Sequence, residues 1–233
     1  MVIYSKADIQ VPISSIQHEL KKINSNWVDH FNTAHYQGAW TVLPLRTPGG
    51  CDSIIPDLGT VDHYEDHPNM FFFPAVKQLI ADMRCEIMSV RLLNLAAGAM
   101  IKQHCDAELA FEKGEARLHI PIHTNPDVEF YVNNDRVMMN EGECWYINAN
   151  LPHRVSNHGH SDRIHLVIDC RVNPWLEHFI LDSKIIAHAP DQTRDPELLK
   201  QIINELKMHQ MPHSLKMAAE FQKEYDDLIN SKA

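Results

Sequence analysis

The residues whose types and spacing hold the most chemistry are His104 and Asp106, with His153 49 residues further on and Arg163 ten beyond that. On a strand, side chains alternate between faces. His104 and Asp106 therefore share one side of the stretch Gln103, His104, Cys105, Asp106, and Cys105 takes the other. Two imidazoles and one carboxylate can occupy one face of a metal ion and leave its remaining positions open. That donor set suits non-haem Fe(II) where O₂ is to be activated. Arg163 opens the apolar run Ile164, His165, Leu166, Val167, Ile168. A guanidinium at the mouth of a buried strand needs an anion, and its planar fork matches a carboxylate. Asp162 and Asp169 are the internal acids that compete for that role.

The chain around these residues has 233 positions, enough for one domain with a full core or one domain with a small appendage. Hydrophobic residues make up 44% and the net charge is −10, with a pI near 5.8. An acidic chain without a basic stripe is a poor partner for nucleic acid or an anionic membrane. No apolar run approaches the roughly 18 residues that a membrane span needs. The first residues, Met1, Val2, Ile3, Tyr4, Ser5, Lys6, lack the basic start and long apolar centre of a secretion signal. Five scattered cysteines with no Cys-x-x-Cys pair fit reduced thiols in a cytoplasm better than a disulfide framework or a thiolate zinc site. Sixteen histidines make accidental spacings common, so a histidine carries weight only through its companions.

Residues 1–30 read as a strand and then an amphipathic helix carrying Ile13, Ile16, Leu20, Ile23 and Trp27. A strand with Trp40 and Arg46 follows. Residues 51–68 are irregular and rich in Asp, Pro and Gly, the composition of a lid or binding loop, with Phe71, Phe72 and Phe73 expected to pack as core. A short helix covers 74–84. From 85 to 172, eight short strands (85–95, 99–106, 116–123, 129–132, 136–140, 144–148, 153–156 and 163–170) are broken by Gly and Asn turns. With no helices between them, they predict a mainly β fold of jelly-roll type. After Pro174 the strands are expected to stop. Pro196 opens a helix with Leu198, Leu199, Ile202, Ile203 and Leu206 on one stripe, and 215–229 reads as another. The expected organisation is a β domain over 1–184, with a helical and loop cover at its start, and a helical extension over 185–233. The extension is a candidate surface for a homodimer.

Four pieces in this order resemble a known family. They are Leu95 to Asp106 (ending Gln103, His104, Cys105, Asp106), Ala116 to Ile122 (with Arg117 and His119), Gly142 to His153 (ending Leu151, Pro152, His153), and Asp162 to Asp169. Together they are similar to the aspartyl/asparaginyl β-hydroxylase family of Fe(II)- and 2-oxoglutarate-dependent oxygenases, and within it to small amino-acid hydroxylases. The resemblance implies a double-stranded β-helix, cupin-like, with iron held by His104, Asp106 and His153. It implies that Arg163 binds the far carboxylate of 2-oxoglutarate, that His119 assists the end nearer the metal, and that Arg117 serves a substrate or cosubstrate carboxylate. Where some members place a serine for 2-oxoglutarate this chain has Leu93, which puts more of that load on Arg163. The reaction implied is hydroxylation of an amino-acid carbon with O₂, while 2-oxoglutarate becomes succinate and CO₂.

For the substrate, Arg91, Trp40, Arg46 and Tyr64 are candidates to face or cover the cavity, and arginines there suit an amino-acid carboxylate. A free amino acid, a derivative or a short peptide all fit. The other readings are a jelly-roll metalloenzyme that uses no 2-oxo acid, and a non-catalytic cupin-like binding module. His123, His158 and His160 are expected to face solvent, His165 to sit in the core or beside Arg163, and Cys105, Cys144 and Trp145 to be packing residues.

Overall fold

A computed structural model describes residues 1–23, 27–55, 63–106, 109–189, 196–208 and 212–230. In chain order the elements are β1 (Val2–Ala7), α1 (Ile13–Leu20), β2 (Val28–Asp29), β3 (Tyr36–Gln37), β4 (Trp40–Pro48), β5 (Tyr64–Asp66), α2 (Pro74–Ala81), β6 (Ile87–Leu95), β7 (Met100–His104), β8 (Glu115–His123), β9 (Val128–Val132), β10 (Asp135–Arg136), β11 (Cys144–Ile147), β12 (His153–Asn157), β13 (Arg163–Arg171), α3 (Pro174–Leu181), β14 (Ile185–His188), α4 (Pro196–Met208) and α5 (Pro212–Asn230). The chain divides into two compact units, Met1–His188 and Ala189–Ala233. In the second, α4 and α5 pack on each other and bury Leu199, Ile203 and Ala218. Among the described residues no helix is long and apolar enough to cross a membrane.

The first unit is built from two antiparallel sheets, as the mainly β jelly-roll reading requires. The larger runs β14-β1-β11-β8-β13-β6-β4-β2, with β5 on β4; the smaller runs β10-β9-β12-β7-β3. Period-two sequence explains why the larger sheet has two different faces. One set of alternate residues is apolar: Val90 and Leu92 on β6, Leu118 and Ile120 on β8, Leu166 and Ile168 on β13. These pack with Ile16 of α1, Val76 and Leu79 of α2, and Leu176 and Ile180 of α3 into one core. The other set carries the polar residues: Ser89 and Arg91 on β6, Arg117 and His119 on β8, Arg163, His165 and Asp169 on β13, of which Arg91, Arg117, His119, Arg163 and Asp169 line a cavity. Each apolar side chain so buried contributes about 1.5–3 kcal/mol, which fixes strand register, because a one-residue slip would exchange the faces.

Two local devices set the edges of the site. Asn133 and Asn134 both adopt positive φ (46° and 73°) in the two-residue turn joining β9 to β10, a conformation asparagine tolerates. Gly38 has φ +83°, and a Cβ there would lie 2.7 Å from that of Ala99, so the backbone before Trp40 lies directly against the β6–β7 turn.

The structure departs from the sequence reading in several places. A strand, β14, follows Pro174 and pairs with β1. The expected strand over 136–140 shrinks to Asp135–Arg136. Of the three phenylalanines only Phe73 is core; Phe71 is 84% exposed and Phe72 47%. Cys105 is exposed, whereas Cys144 is packed. Part of the irregular 51–68 loop, residues 56–62, and Asp195 before α4 lie outside the described residues.

Candidate active site

Between the two sheets lies a cavity of about 520 Å³. His104 ends β7 and His153 begins β12, and these antiparallel strands put the two residues directly opposite each other. Cross-strand pairing therefore closes the 49-residue gap. The ring centroids are 4.2 Å apart. Asp106 follows on the turn leaving β7, where its N–H donates to the Ala149 carbonyl at 2.8 Å. One ligand atom from each of His104, Asp106 and His153 lies within 4.8 Å of the other two.

The chemistry of this donor set suits a divalent cation. His104 Nδ1 lies 2.8 Å from the Lys102 carbonyl and His153 Nδ1 2.9 Å from that of Leu151. A carbonyl can only accept, so each Nδ1 is a donor, and the lone pair of the neutral ring is the one on Nε2. Metal-binding imidazoles are commonly oriented in this way. His104 Nε2 lies 3.7 Å from Asp106 Oδ1. Burial and the neighbouring His104 push His153 down to about 4, so it is neutral and able to ligate near neutral pH. Burial opposes ionisation of Asp106, but Arg117 foremost, then His153 and His104, hold its carboxyl below the ordinary value.

Arg163 lines the same cavity, 2% exposed. Neither Asp162 nor Asp169 answers it. Asp162 accepts from Asn94 and the Ala97 N–H, and Asp169 is bound to Arg91 and Arg117. Among the described residues the contacts of the Arg163 guanidinium are His165 Nδ1 at 2.8 Å and the Phe130 ring at 5.5 Å, and its Nε has no partner. Burial alone pushes it down to about 9, so it stays charged at neutral pH. Beside it, His119 is buried edge-on to Phe130 and His165, with Nδ1 unpartnered. Burial first, and the Arg163 charge next, hold both His119 and His165 well below the ordinary value.

The remaining expected residues separate into two groups. Arg91 and Trp40 line the cavity. Arg46 and Tyr64 do not: Arg46 is turned to β5, pairing Asp66 at 2.9 Å and donating to the carbonyls of Tyr64 and Ile87. Arg117 lines the cavity, but its guanidinium spans Asp169 and Asp106. Sequence reasoning gave no role to His30, His35 or Phe130, or to Asp169 as the partner of two arginines. His30 stacks on Trp40 at 3.5 Å with an 11° tilt, and burial pushes it down to about 3. His35 sits 5.5 Å from the His104 ring, on a turn held by Lys102 donating to Ala34 O at 2.9 Å. Asp169 did leave a signal, since it is an acid inside an apolar strand at even spacing from Arg163 and His165.

A jelly roll with two imidazoles and a carboxylate converging in its cavity defines a metal-site scaffold. The family described as Aspartyl/Asparaginyl beta-hydroxylase matches residues 12–173, and the chain belongs to it. L-proline cis-4-hydroxylase of Rhizobium meliloti (strain 1021) is 29% identical over 105 residues, covering 45% of this chain and 36% of that protein, so the match spans about a third of the relative's length. An oxidoreductase of the 2OG-Fe(II) oxygenase family from Burkholderia pseudomallei aligns with TM-score 0.49 and 14% identity over 69% of this chain and 79% of its own. A Pseudomonas putida prolyl-4-hydroxylase aligns with TM-score 0.47 and 11% identity over 74% and 94%.

Proposed function

We propose that the chain is an Fe(II)- and 2-oxoglutarate-dependent dioxygenase that hydroxylates a carbon of an amino acid, free, derivatised or in a short peptide. The observation that carries this reading is Arg163: a buried guanidinium with no acid partner among the described residues, in the same cavity as the His104, Asp106 and His153 cluster. An unanswered buried charge is costly, and a dicarboxylate reaching from the metal would offset it. Family membership and the likeness to a proline hydroxylase support the same reading.

His104 Nε2, His153 Nε2 and one Asp106 oxygen would hold the iron, leaving positions for a 2-oxo acid and O₂. Iron bound there would supply O₂ activation, with one oxygen atom ending in succinate as 2-oxoglutarate loses CO₂ and the other in the new hydroxyl of the substrate. Arg163 anchors the far carboxylate and fixes the direction in which the 2-oxo acid lies. His119, neutral beside it, donates or accepts a hydrogen bond without competing for the anion. Arg91 and the wall made by Trp40 and His30 bind the amino acid, and the apolar lining from Leu93, Ile101 and Phe130 limits water around the reacting carbon. The five scattered, unpaired cysteines support a reducing cytoplasm as its location. The α4–α5 hairpin is proposed as the contact of a homodimer, to be read by size-exclusion chromatography with light scattering.

The test is anaerobic reconstitution with Fe(II) and 2-oxoglutarate, then oxygen uptake and succinate release across a panel of amino acids and acyl-amino acids. Succinate release that depends on one class of amino acid supports the proposal, and His104→Ala abolishes it. Undiminished turnover in His104→Ala removes the ligand assignment. Activity unaffected in Arg163→Ala points instead to a metalloenzyme that uses no 2-oxo acid.

A further inference from the structure

Resting on the metal site proposed above, the geometry points to Arg117 as a positioning residue for the metal-binding carboxylate, with Asp169 as its anchor, rather than as a binder of substrate or cosubstrate. Its three nitrogens are all engaged. Nη1 donates to Asp106 Oδ2, Nε donates to Asp169 Oδ1 at 2.7 Å, and Nη2 to Asp169 Oδ2 at 3.1 Å. The contact with Asp169 is the two-pronged fork that fixes the plane of a guanidinium. Asp169 is itself held, accepting from Ser89 Oγ at 2.7 Å and Arg91 Nη2 at 2.8 Å, and it is 3% exposed. Cross-strand register sets Asp169 of β13 directly opposite Arg117 of β8. The chain of contacts thus runs from the middle of a rigid sheet to one oxygen of Asp106, a residue on the turn beyond β7 with far less support of its own.

The consequence for the carboxylate is specific. With Oδ2 accepting from Arg117, Oδ1, the oxygen on the His104 side, is the one turned toward a cation. Asp106 then takes a single position on the metal, and the other open positions remain for ligands. The guanidinium also fixes the torsion of a side chain that would otherwise rotate. Partners of this outer kind commonly change metal affinity by roughly 10–100-fold. Lysine keeps the charge of Arg117 but not the fork, and it cannot grip Asp169 with two prongs while reaching Asp106.

The experiment is a Mn(II) titration of the metal-free full chain, reading free Mn(II) by electron paramagnetic resonance, alongside thermal melts. Arg117→Lys is expected to weaken Mn(II) binding roughly 10–100-fold in a chain that still melts cooperatively. Asp169→Asn, which touches no ligand atom, is expected to weaken it too, and the double variant to lose little more than the worse single one, because the two act through one path. Ser89→Ala also removes a bond to Asp169 but does not touch Asp106, and it is expected to leave Mn(II) affinity near the parent value. Wild-type Mn(II) affinity in Arg117→Lys, with a raised requirement for 2-oxoglutarate, would return Arg117 to ligand binding and overturn the inference. Equal weakening in Ser89→Ala and Arg117→Lys would overturn it as well, marking a general loosening of the core. His104→Ala separates this inference from the metal site on which it rests. If that variant binds Mn(II) normally, the metal site itself is wrong; if it loses Mn(II) while Arg117→Lys does not, only the positioning role falls.

Discussion

Arg117 and Arg163 stand on adjacent strands of one sheet, turn to the same cavity and are both almost fully buried, yet their surroundings are opposite. Arg117, with Arg91 beside it, is answered by Asp169 and Asp106, so two cations meet two anions inside the protein. Arg163 has an imidazole, an aromatic ring and no acid among the described residues. The sheet places charge with equal economy of backbone in both cases, so the difference lies in what each charge is for. A charge that folding neutralises can fix geometry, as Arg117 does at Asp106. A charge that folding leaves open is free to meet a ligand, and under the proposed function its cost in the empty protein becomes part of the ligand's affinity.

The comparison breaks most visibly at Asp169. Asp169→Ala removes the shared acid and leaves two guanidiniums facing one carboxylate. The expected loss is about 3–5 kcal/mol of stability, measured by urea unfolding. A loss below about 1 kcal/mol would mean that the two arginines are no better answered than Arg163. Next in size is Arg163→Met, which deletes a charge that has no internal partner. Stability of the ligand-free protein is expected to hold or rise. The affinity for 2-oxoglutarate should fall by roughly 2–5 kcal/mol, and its stabilising effect on the thermal melt should vanish. Clear destabilisation of the ligand-free variant would show that the protein itself answers Arg163. The acid limb sharpens the contrast further. Burial alone would raise Asp169, but Arg117 and Arg91 hold its folded value far below 3.8. Its contribution is therefore complete above about pH 4 and is lost as pH falls through the folded value. Asp169→Asn should flatten the fall in stability below pH 4, while Arg163→Met leaves that limb unchanged.

Much of this was legible in the sequence, and the limit has a physical form. Alternation in β6, β8 and β13 is strong because one face of each strand packs on helices, so strand positions and the shared face of Arg117 and His119 could be read directly. The meeting of His104 with His153 came from family spacing and is explained by register. What did not come through was pairing. Nothing local in β14 (Ile185–His188) announces a partner 180 residues earlier, so an edge strand was missed. The three phenylalanines 71–73 are identical in type, and only the tight 3-10 turn Pro68–Phe72, capped by Phe73, decides that Phe73 goes in and Phe71 out. The partners of Arg91, Arg117 and Arg163 were equally hidden, because which acid reaches which guanidinium depends on cross-strand register that the sequence does not print.

Arg46 supplies the smallest expected effect and the sharpest control. Like Arg91 and Arg117 it is an arginine on a strand of the large sheet, paired with an acid, and from sequence it was as good a candidate for the substrate carboxylate. Its pair with Asp66 lies at 2.9 Å, but both side chains are about a quarter exposed, and Lys77 also reaches Asp66 at 2.9 Å. Water and a second cation thus share the work, and exposed pairs of this kind are worth about 0–1 kcal/mol. Arg46→Ala should therefore cost about 1 kcal/mol in urea unfolding, since its bonds to the Tyr64 and Ile87 carbonyls can be replaced by solvent at this edge. Mn(II) and 2-oxoglutarate affinities, and the amino-acid KM, should not move. A raised KM with unchanged metal affinity would put Arg46 at the substrate. The boundary between arginines that face the cavity and those that face β5 would then have to move outward, to take in β5 and the end of β4 that pairs with it.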